Sequence, residues 1–237
     1  PSRPDVINLF RTNGIRRMRI YRPDQAALQA LRGSNIELIL DVPNPDLQSL
    51  ANDAGAANQW VQRNVRAYSP DVRFKYIAVG NEVDPNSGTA QYVPFVLRAM
   101  QNVHNAIVAA GLQQQIKVFS ASYTGFLENS SPPSKSSFRG NVKSFIDPII
   151  SFLVANGSPL LVNVYPYFAY TGNTRDVSLP YALFTAPGVV VRDNSLEYRN
   201  LFDALIDAHY SALERSNGGN LNIVVSESGW PSAGGVA

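Results

Sequence analysis

Two glutamates in short motifs could carry out acid–base chemistry together. Glu82 lies in Gly80–Val83, directly after the amide residue Asn81, and Glu227 lies in Ser226–Pro231. Each follows an apolar run, and a carboxylate at the end of a buried strand is costly unless it is paired or hydrogen-bonded. A pair of structural carboxylates is one interpretation. The other is glycoside hydrolysis, in which one carboxylic acid protonates the leaving oxygen and a second carboxylate attacks or activates water.

Aromatic and amide side chains occur where other apolar runs end. Tyr21 ends the first run, and Asn163, Tyr165 and Phe168 end or follow the fifth. The C–H faces of pyranose rings stack on aromatic rings, and amide and hydroxyl groups can hydrogen-bond to sugar hydroxyls. This supply of side chains favours a groove for a polysaccharide.

Six short apolar runs predict the strands that must position these side chains. They lack strict alternation, which is typical of strands that are covered on both faces. The predicted strands are Arg17–Tyr21, Glu37–Val42, Tyr76–Gly80, Ile116–Ala121, Leu160–Val164 and Asn222–Ser226.

Segments with helical periodicity alternate with these strands. In Ala90–Ala110, the clearest of them, apolar side chains recur every three or four residues. The other predicted helices are Pro4–Asn13, Asp24–Arg32, Leu47–Tyr68, Val142–Asn156 and Leu196–Ser216. The alternation predicts a parallel α/β protein, either a (β/α)8 barrel or a doubly wound sheet, in which ligands bind at the carboxyl ends of the strands. No glycine-rich nucleotide-binding motif follows the first strands, which disfavours the second possibility.

Composition excludes several classes of function. The 237 residues include no cysteine, and the two histidines, His104 and His209, lie far from other likely ligands in the sequence, so we expect no metal site built from cysteine or histidine. The net charge of +2 is too small to indicate nucleic acid as the main partner. No apolar run approaches the ~20 residues that cross a bilayer. We therefore expect a monomer that binds neither nucleic acid nor a membrane.

Several other features are expected to be structural. Asp41 ends the second strand just before Pro43, which favours a hydrogen-bonding role over catalysis. Arg16, Arg17 and Arg19 alternate around the first strand, and we expect at least one of them to pair with a buried carboxylate.

Two segments rich in Ser, Pro and Gly, Leu127–Gly140 and Ala169–Arg192, predict long surface loops. The triplets that begin at Asn129 and Asn156 match glycosylation acceptors, a weak indication of secretion. Pro159 follows the second triplet and makes it the poorer acceptor.

The chain resembles the plant glucan endo-1,3-β-glucosidases of glycoside hydrolase family 17 along essentially its whole length. The most specific stretch is Ile223–Pro231 (IVVSESGWP), which is similar to the family signature around the nucleophile. Further matching stretches are Gly14–Tyr21, Tyr76–Val83, Ser158–Phe168, Tyr181–Val191 and Tyr198–Ala204. Such a set in this order is more specific than any single stretch.

This resemblance implies a (β/α)8 barrel that acts as a retaining endoglycosidase on β-1,3-glucan without a cofactor. It implies that Glu82 is the acid/base, that Glu227 is the nucleophile, and that Asn81 hydrogen-bonds the 2-hydroxyl of the sugar at the cleavage point. Four further residues match positions that line the substrate groove: Tyr21, Asn163, Tyr165 and Phe168. It also implies a plant defence or cell-wall protein that is secreted or vacuolar.

The strand count implies that residues 1–237 are a single catalytic domain that is truncated at both ends. If Glu82 ends the fourth strand of the family and Glu227 ends the seventh, the six predicted strands are strands two to seven. We therefore expect an incomplete barrel. Two alternatives stay open: hydrolysis of 1,3-1,4-β-glucan by the same carboxylates, and a glucan-binding or allergen-like fragment without turnover.

Overall fold

The structure is a computed structural model that describes residues 1–235. Two compact units divide the chain. The first contains Pro1–Ala121 with Asn156–Ser158, and the second contains Ser122–Ala155 with the residues from Pro159 on. None of the helices in the described range has the length and apolar composition needed to span a membrane.

The first unit alternates helices with parallel strands. Its elements are α1 (Arg3–Thr12), β1 (Arg17–Ile20), α2 (Gln25–Leu31), β2 (Glu37–Val42), α3 (Leu47–Asn52), α4 (Ala54–Asn64), β3 (Arg73–Asn81), α5 (Val93–Ala109) and most of β4 (Lys117–Tyr123). Within it, β1 pairs with β2, β2 with β3, and β3 with β4, all in parallel. The strand interiors are dominated by buried apolar side chains, as their continuous apolar sequences predict.

Helix α5 shows why the sequence folds in this way. The predicted stripe is confirmed, because Val96, Met100, Val103 and Ile107 are fully buried. Burying each such side chain contributes about 1.5–3 kcal/mol. The Asn102 amide on the same helix donates to two carbonyl oxygens at the end of α3, at 2.8 and 3.1 Å, and so joins the two helices.

The second unit contains more irregular structure. Its elements after β4 are β5 (Leu127–Glu128), β6 (Ser137–Phe138), α6 (Gly140–Asn156), β7 (Leu160–Asn163), α7 (Pro166–Gly172), α8 (Leu179–Ala182), β8 (Val191–Asp193), β9 (Leu196–Tyr198), α9 (Leu201–Arg215) and β10 (Ile223–Glu227). Strands β7 and β10 are parallel, whereas β5–β6 and β8–β9 are antiparallel pairs. Ser134 donates from its N–H and its hydroxyl to the Asp193 carboxylate, both at 2.6 Å, which ties the β5–β6 loop to the β8–β9 hairpin.

In the first unit the hydrogen-bonded strand order is β1-β2-β3-β4, and in the second unit β7 pairs with β10. Within each unit, every one of these six strands therefore pairs with the next of them along the chain. This sequential order is that of a (β/α) barrel, whereas the strand order of a doubly wound sheet reverses at a switch point. All six predicted strands are present, with ends that differ from the predicted ones by up to three residues.

The prediction of one helix over Leu47–Tyr68 was wrong. Asp53 is extended, with φ −133° and ψ 109°, and separates α3 from α4. Its carboxylate accepts a hydrogen bond from the Gly55 N–H at 2.7 Å, which caps α4. An aspartate that can bind nearby N–H groups favours a helix start over a helix interior.

The prediction of a helix over Leu196–Ser216 was wrong in its first part. Leu196–Tyr198 forms β9, and α9 begins only at Leu201. The Asn200 side chain caps α9 by accepting from the Asp203 N–H at 2.9 Å. The predicted loop Leu127–Gly140 likewise contains a short strand pair, β5 and β6.

Candidate active site

Glu82 directly follows β3, and its main chain is left-handed, with φ +48°. Such a conformation costs on the order of 1–3 kcal/mol for a residue other than glycine and persists only where the surroundings fix it. The Glu82 N–H donates to the Ala121 carbonyl at 2.9 Å, and the Glu82 carbonyl accepts from the Thr89 hydroxyl at 3.0 Å. These two contacts hold the main chain on both sides of the Glu82 side chain.

The side chain of Asn44 holds the residue before Glu82. Its Oδ1 accepts from the Asn81 N–H at 2.8 Å, and its Nδ2 donates to the Asn81 carbonyl at 3.0 Å. Gly80 precedes these residues with φ +81°, and a Cβ there would lie 3.1 Å from Leu47 and 3.4 Å from Asn44 Oδ1. Both the conformation and the space at this position therefore require glycine.

A buried ion pair orients the Asn81 side chain. Arg19 donates from Nε and Nη2 to the two Asp41 carboxylate oxygens at 3.0 and 2.6 Å, and Nη2 also donates to Asn81 Oδ1 at 2.8 Å. The side chains of Arg19 and Asp41 are only 6% and 1% exposed. The prediction that an arginine of β1 pairs with a buried carboxylate is confirmed, and so is the structural role of Asp41. Because the guanidinium binds Oδ1, the orientation of the Asn81 amide is defined.

Tyr21 lies next to the same arginine. The Arg19 guanidinium carbon is 4.6 Å from the centroid of the Tyr21 ring, a cation–π contact, and half of Tyr21 is exposed. Arg19 thus brings Tyr21 and Asn81 together at the carboxyl ends of β1 and β3. Three of the predicted site residues, Tyr21, Asn81 and Glu82, form one group in the first unit.

Several polar residues that support Glu82 were not predicted from the sequence. Asp84 is buried and accepts from the Asn86 N–H at 2.7 Å, and the Asp84 N–H donates to the Thr89 hydroxyl at 3.0 Å. Such side chains stabilise turns by binding nearby main-chain groups. The Asp-Pro-Asn-Ser-Gly-Thr sequence after Val83 is the signal for this turn. The sequence gives less indication of the role of Asn44, because its hydrogen-bond partner Asn81 is 37 residues away in the chain.

Glu227 is the last residue of β10. Its pairing with β7 follows a register shift between Val225 and Glu227, and its carbonyl accepts from the Val164 N–H at 2.9 Å. The Tyr165 hydroxyl donates to Glu227 Oε2 at 3.0 Å. A hydrogen bond to a charged group contributes about 1.5–3 kcal/mol, so this contact also fixes the orientation of the carboxylate.

Asn163 lies beneath this strand end. It is only 1% exposed, and its Oδ1 accepts from the Ser226 hydroxyl at 2.6 Å. The Thr124 hydroxyl donates to the Asn163 carbonyl at 3.4 Å. In the structure Asn163 therefore supports the ends of β7 and β10, and its expected contact with sugar stays a prediction.

Five aromatic side chains follow β7 and β10, and we call them the aromatic cluster: Tyr165, Tyr167, Phe168, Tyr170 and Trp230. Phe168 lies 5.2 Å from Tyr165 and 5.3 Å from Tyr167 between ring centroids. Trp230 lies 5.0 Å from Tyr167 and 6.2 Å from Tyr170. Phe168 is 63% exposed. The second unit therefore combines a hydrogen-bonded carboxylate with exposed aromatic surface, which suits a sugar next to a nucleophile.

The two histidines are packing residues on helices. His209 on α9 is fully buried, its Nδ1 lies 2.8 Å from the Leu205 carbonyl, and burial lowers its pKa to about 4. Burial and then the charge of Lys117 lower the pKa of His104 on α5. Residues 1–235 contain no group of three or more His, Cys, Asp or Glu side chains that could hold a metal ion.

Comparison with protein families gives a match along the whole chain. The family model described as "Glycosyl hydrolases family 17" matches residues 1–237. Among curated proteins, a glucan endo-1,3-beta-glucosidase of Vitis vinifera is 64% identical over 237 residues, which are 100% of this chain and 69% of the relative. The basic isoform of the Phaseolus vulgaris enzyme is 59% identical over 235 residues, which are 99% of this chain and 68% of the relative.

Two solved structures share the fold. The first is described as CJP38, a beta-1,3-glucanase and allergen of Cryptomeria japonica pollen, with a TM-score of 0.96 and 45% identity over 99% of this chain and 73% of that chain. The second comes from a study of two plant beta-glucan endohydrolases with distinct substrate specificities, with a TM-score of 0.94 and 44% identity over 99% of this chain and 74% of that chain. The predicted fold class is confirmed.

Proposed function

The chain belongs to family 17 of the glycosyl hydrolases, and from this we propose that it hydrolyses internal 1,3-β-D-glucosidic linkages of β-1,3-glucans with retention of configuration. One observation carries the proposal: the Vitis vinifera relative, which is named for this activity, is 64% identical along the full length of the chain. The environments of Glu82 and Glu227 support it, because each glutamate is held at the end of a strand.

In the first step, protonated Glu82 donates its proton to the glycosidic oxygen while the Glu227 carboxylate attacks the anomeric carbon. The bond from this carbon to the leaving oxygen breaks, one part of the glucan departs with a new hydroxyl, and the other is esterified to Glu227. The hydrogen bond from Tyr165 to Oε2 supports this role, because it favours the charged carboxylate and orients it.

In the second step, the Glu82 carboxylate takes a proton from water as the water attacks the same carbon. The ester bond breaks, Glu227 regains its charge, and Glu82 is protonated again. Two inversions give net retention. We assign the Asn81 side chain to a hydrogen bond with the sugar 2-hydroxyl. The contact with Arg19 supports this assignment, because the guanidinium binds Oδ1 of Asn81 and so defines Nδ2 as the donor of that amide.

The aromatic side chains are assigned to the faces of the glucose rings. Tyr21 and Phe168 are both more than half exposed, and stacking on their rings buries the apolar C–H faces of a sugar. Replacing either ring with Ala is therefore expected to raise KM more than it lowers kcat.

Release of reducing sugar from laminarin tests the proposal. The Glu82→Gln variant is expected to lose about 10²–10⁴-fold in kcat, the usual contribution of a general acid and base. The Glu227→Gln variant is expected to show no turnover. Glu214→Gln is the matched control, because Glu214 is an exposed glutamate on α9. Unchanged activity in the Glu227→Gln variant would contradict the proposal.

Azide distinguishes the two roles. Added to a Glu227→Ala variant, azide can attack the substrate directly and give a glycosyl azide of inverted configuration. Added to a Glu82→Ala variant, azide intercepts the glycosyl ester and gives the retained configuration. The opposite pattern of products would reverse the assignment of the two glutamates.

Two other functions remain to be separated from this one. Mixed-linkage 1,3-1,4-β-glucan is the second candidate substrate, because the same two carboxylates could hydrolyse it and the two endohydrolases of the solved-structure study differ in substrate specificity. A higher kcat/KM on that glucan than on laminarin would replace the first proposal. Binding of laminarin without release of reducing sugar would favour a glucan-binding protein. An allergen-like property would not distinguish an enzyme from a glucan-binding protein, because the Cryptomeria japonica protein is named both a glucanase and an allergen.

The site of action and the oligomeric state belong to the same proposal. We propose a secreted or vacuolar monomer that binds neither nucleic acid nor a membrane. Asn129, in the first glycosylation triplet, is exposed, whereas Ser158 in the second triplet is buried. Expression in plant cells is therefore expected to give glycan at Asn129 and none at Asn156 by mass spectrometry.

Light scattering tests the oligomeric state and is expected to give the monomer mass of 25.9 kDa for the protein without glycan.

A further inference from the structure

Five basic side chains collect at the amino ends of the strands in the first unit, and we call them the basic edge: Arg11, Arg16, Arg17, Arg73 and Lys75. All five are exposed. Arg16 directly precedes β1 and Arg17 begins it, Arg73 and Lys75 lie at the start of β3, and Arg11 lies near the end of α1. Three separate elements thus bring cations to one end of the sheet.

A single carboxylate compensates part of this charge. Glu37, at the start of β2, pairs with Arg73 at 3.3 Å and with Arg17 at 3.5 Å. Arg11, Arg16 and Lys75 take part in no ion pair within residues 1–235. The basic edge therefore carries an excess of four positive charges after Glu37 is counted.

This excess is local. Removing the basic edge and Glu37 from the 20 basic and 18 acidic residues of the chain leaves 15 basic against 17 acidic residues. The rest of the molecule thus has a small negative charge, whereas this edge is strongly positive. A local field of this kind attracts anions over about one Debye length, roughly 10 Å at 0.1 M salt.

Two adjoining hollows give the basic edge a shape. One, of about 200 Å³, is lined by Arg11 and Arg16 together with Asn35 and Ile36. The other, of about 230 Å³, is lined by Glu37, Arg73 and Lys75. Arg73 joins them, because its Nη1 donates to Asn35 Oδ1 at 2.6 Å. An extended anionic chain could therefore contact both hollows at once.

The basic edge lies at the opposite end of β3 from Asn81. Arg73 and Asn81 are the first and last residues of this strand. At about 3.3 Å per residue, they are roughly 26 Å apart. A polymer held at the basic edge would therefore leave the carboxyl end of β3, next to Glu82, open to glucan.

We propose that the basic edge binds a carboxylated polysaccharide, one built of uronic acid units. Guanidinium groups match carboxylates in a two-pronged geometry, and four of the five cations are arginines. The proposal adds a tether to the proposed glucanase and does not depend on the linkage that is hydrolysed. Holding a neighbouring acidic polymer would raise the local concentration of the enzyme on an insoluble mixed matrix.

The composition of the two hollows favours this ligand over other polyanions. Single-stranded nucleic acid uses exposed aromatic rings for base stacking. The aromatic residue that lines these hollows within the described chain, Phe74, is buried. Ile15 is the exposed large apolar side chain that lines them, which is too little apolar surface to insert into a bilayer.

Binding to immobilised polygalacturonate tests the tether. We expect the chain to be retained at low salt and released towards about 1 M salt, where the Debye length is only about 3 Å. The triple variant Arg11→Gln, Arg16→Gln and Lys75→Gln is expected to bind about tenfold more weakly, the scale of losing three exposed ion pairs. Fully methyl-esterified polygalacturonate, which has no carboxylates, is expected not to retain the protein.

A matched variant controls for net charge. Arg3, Arg63 and Arg98 are exposed arginines elsewhere in the first unit, and none of them lines either hollow. Changing these three to Gln removes the same charge and is expected to leave binding within about twofold, because exposed charges far from the ligand are screened. Equal weakening in both triple variants would overturn the proposal, as would failure of the wild-type chain to bind at low salt.

Two further readouts identify the polymer and separate this proposal from the glucanase. Tighter binding to single-stranded DNA or to phosphatidylserine vesicles than to polygalacturonate would overturn the assignment to a uronate. Hydrolysis of soluble laminarin is expected to be unchanged in both triple variants. An inactive wild-type chain that still binds polygalacturonate through the basic edge would contradict the proposed function while supporting the tether.

Discussion

Glu82 and Glu227 each stand at the end of a strand, and each is held through its main chain, but the two are supported by different kinds of neighbour. Around Glu82, Ala121 and Thr89 bind the main chain, Asn44 binds the main chain of the preceding residue, and a buried ion pair orients the neighbouring Asn81. Around Glu227, the Val164 N–H donates to the main-chain carbonyl, a tyrosine hydroxyl donates to the carboxylate itself, and the Phe168 ring packs on that tyrosine.

This difference agrees with the roles proposed for the two residues. A nucleophile acts as a carboxylate until it forms the ester, and a hydrogen bond from a hydroxyl stabilises and orients that form. An acid/base must exchange its proton in each step, and contacts to its main chain place it for both steps. The contacts described in the first unit therefore fix the main chain around Glu82, and those in the second add a hydroxyl that binds the Glu227 carboxylate.

The largest expected effect is on the buried ion pair of the first unit. Replacing Asp41 with Asn leaves the charge of Arg19 buried without its partner, which costs about 3–5 kcal/mol. We expect urea unfolding to show this loss and laminarin hydrolysis to fall with it, since Asn81 loses its oriented neighbour.

The control for this prediction is an ion pair near the surface. Asp71 pairs with Arg32 at 2.5 Å, but both side chains are substantially exposed. Asp71→Asn is expected to cost less than about 1 kcal/mol. Comparable losses of unfolding free energy in the two variants would show that the buried Arg19–Asp41 pair does not stabilise this region more than a surface pair does.

The next effect isolates the main-chain support of Glu82. Asn44→Ala removes both hydrogen bonds to Asn81 and releases the left-handed turn that follows. A displacement of about 1 Å at a catalytic group can cost on the order of 100-fold in rate. We therefore expect kcat on laminarin to fall by about that factor while circular dichroism stays unchanged at 25 °C.

Two variants sharpen the interpretation. Asn44→Asp keeps the acceptor for the Asn81 N–H and loses the donor to its carbonyl, so an intermediate kcat is expected. Asn52→Ala removes an exposed asparagine at the end of α3 and should leave kcat unchanged. If Asn44→Ala raises KM alone, Asn44 acts on substrate binding and does not position Glu82.

The pH dependence of stability should differ between the two units. Burial lowers the pKa of His209, in the second unit, to about 4 from 6.5. The folded state therefore binds this proton less readily than the unfolded chain, and stability that is present above pH 6.5 is lost as the pH falls towards 4. At about pH 5 the loss relative to pH 7 is expected to be about 2 kcal/mol.

Unfolding of a His209→Gln variant between pH 7 and 5 measures this contribution. The variant is expected to show less loss of stability over this range than the wild type, although it starts from a lower value. His104→Gln in the first unit is the comparison, since His104 is only partly buried. A pH dependence that is the same in wild type and His209→Gln would exclude His209 as its source.

Local sequence patterns predicted more of the strands and helices than of the contacts that hold Glu82 and Glu227 in place. The six strands, the buried stripe of α5 and the pairing of Arg19 with a carboxylate follow from residue type and spacing. The break at Asp53 was missed because an apolar periodicity continues across it, although one aspartate caps the next helix there. The strand β9 was missed because Leu196–Tyr198 is extended only through its pairing with β8.

The contacts that hold the two glutamates join residues far apart in the chain. Asn44 reaches Asn81 across 37 residues, and Tyr165 reaches Glu227 across 62. The sequence identifies both glutamates and Tyr165 as candidates, because each ends or follows an apolar run. It does not show which hydroxyl or amide reaches which of them, because tertiary packing alone decides that distance.

The smallest effect tests the side-chain support of Glu227. Tyr165→Phe keeps the ring that packs on Phe168 and removes the hydroxyl that donates to Oε2. We expect kcat to fall about tenfold, near the lower end for a hydrogen bond to a charged group, because water can replace part of it. KM should change little, since the aromatic surface is kept, whereas Tyr165→Ala should raise KM as well. If Tyr165→Phe leaves kcat unchanged, the Tyr165 hydroxyl does not position the carboxylate of Glu227, and the contrast between the two glutamates disappears.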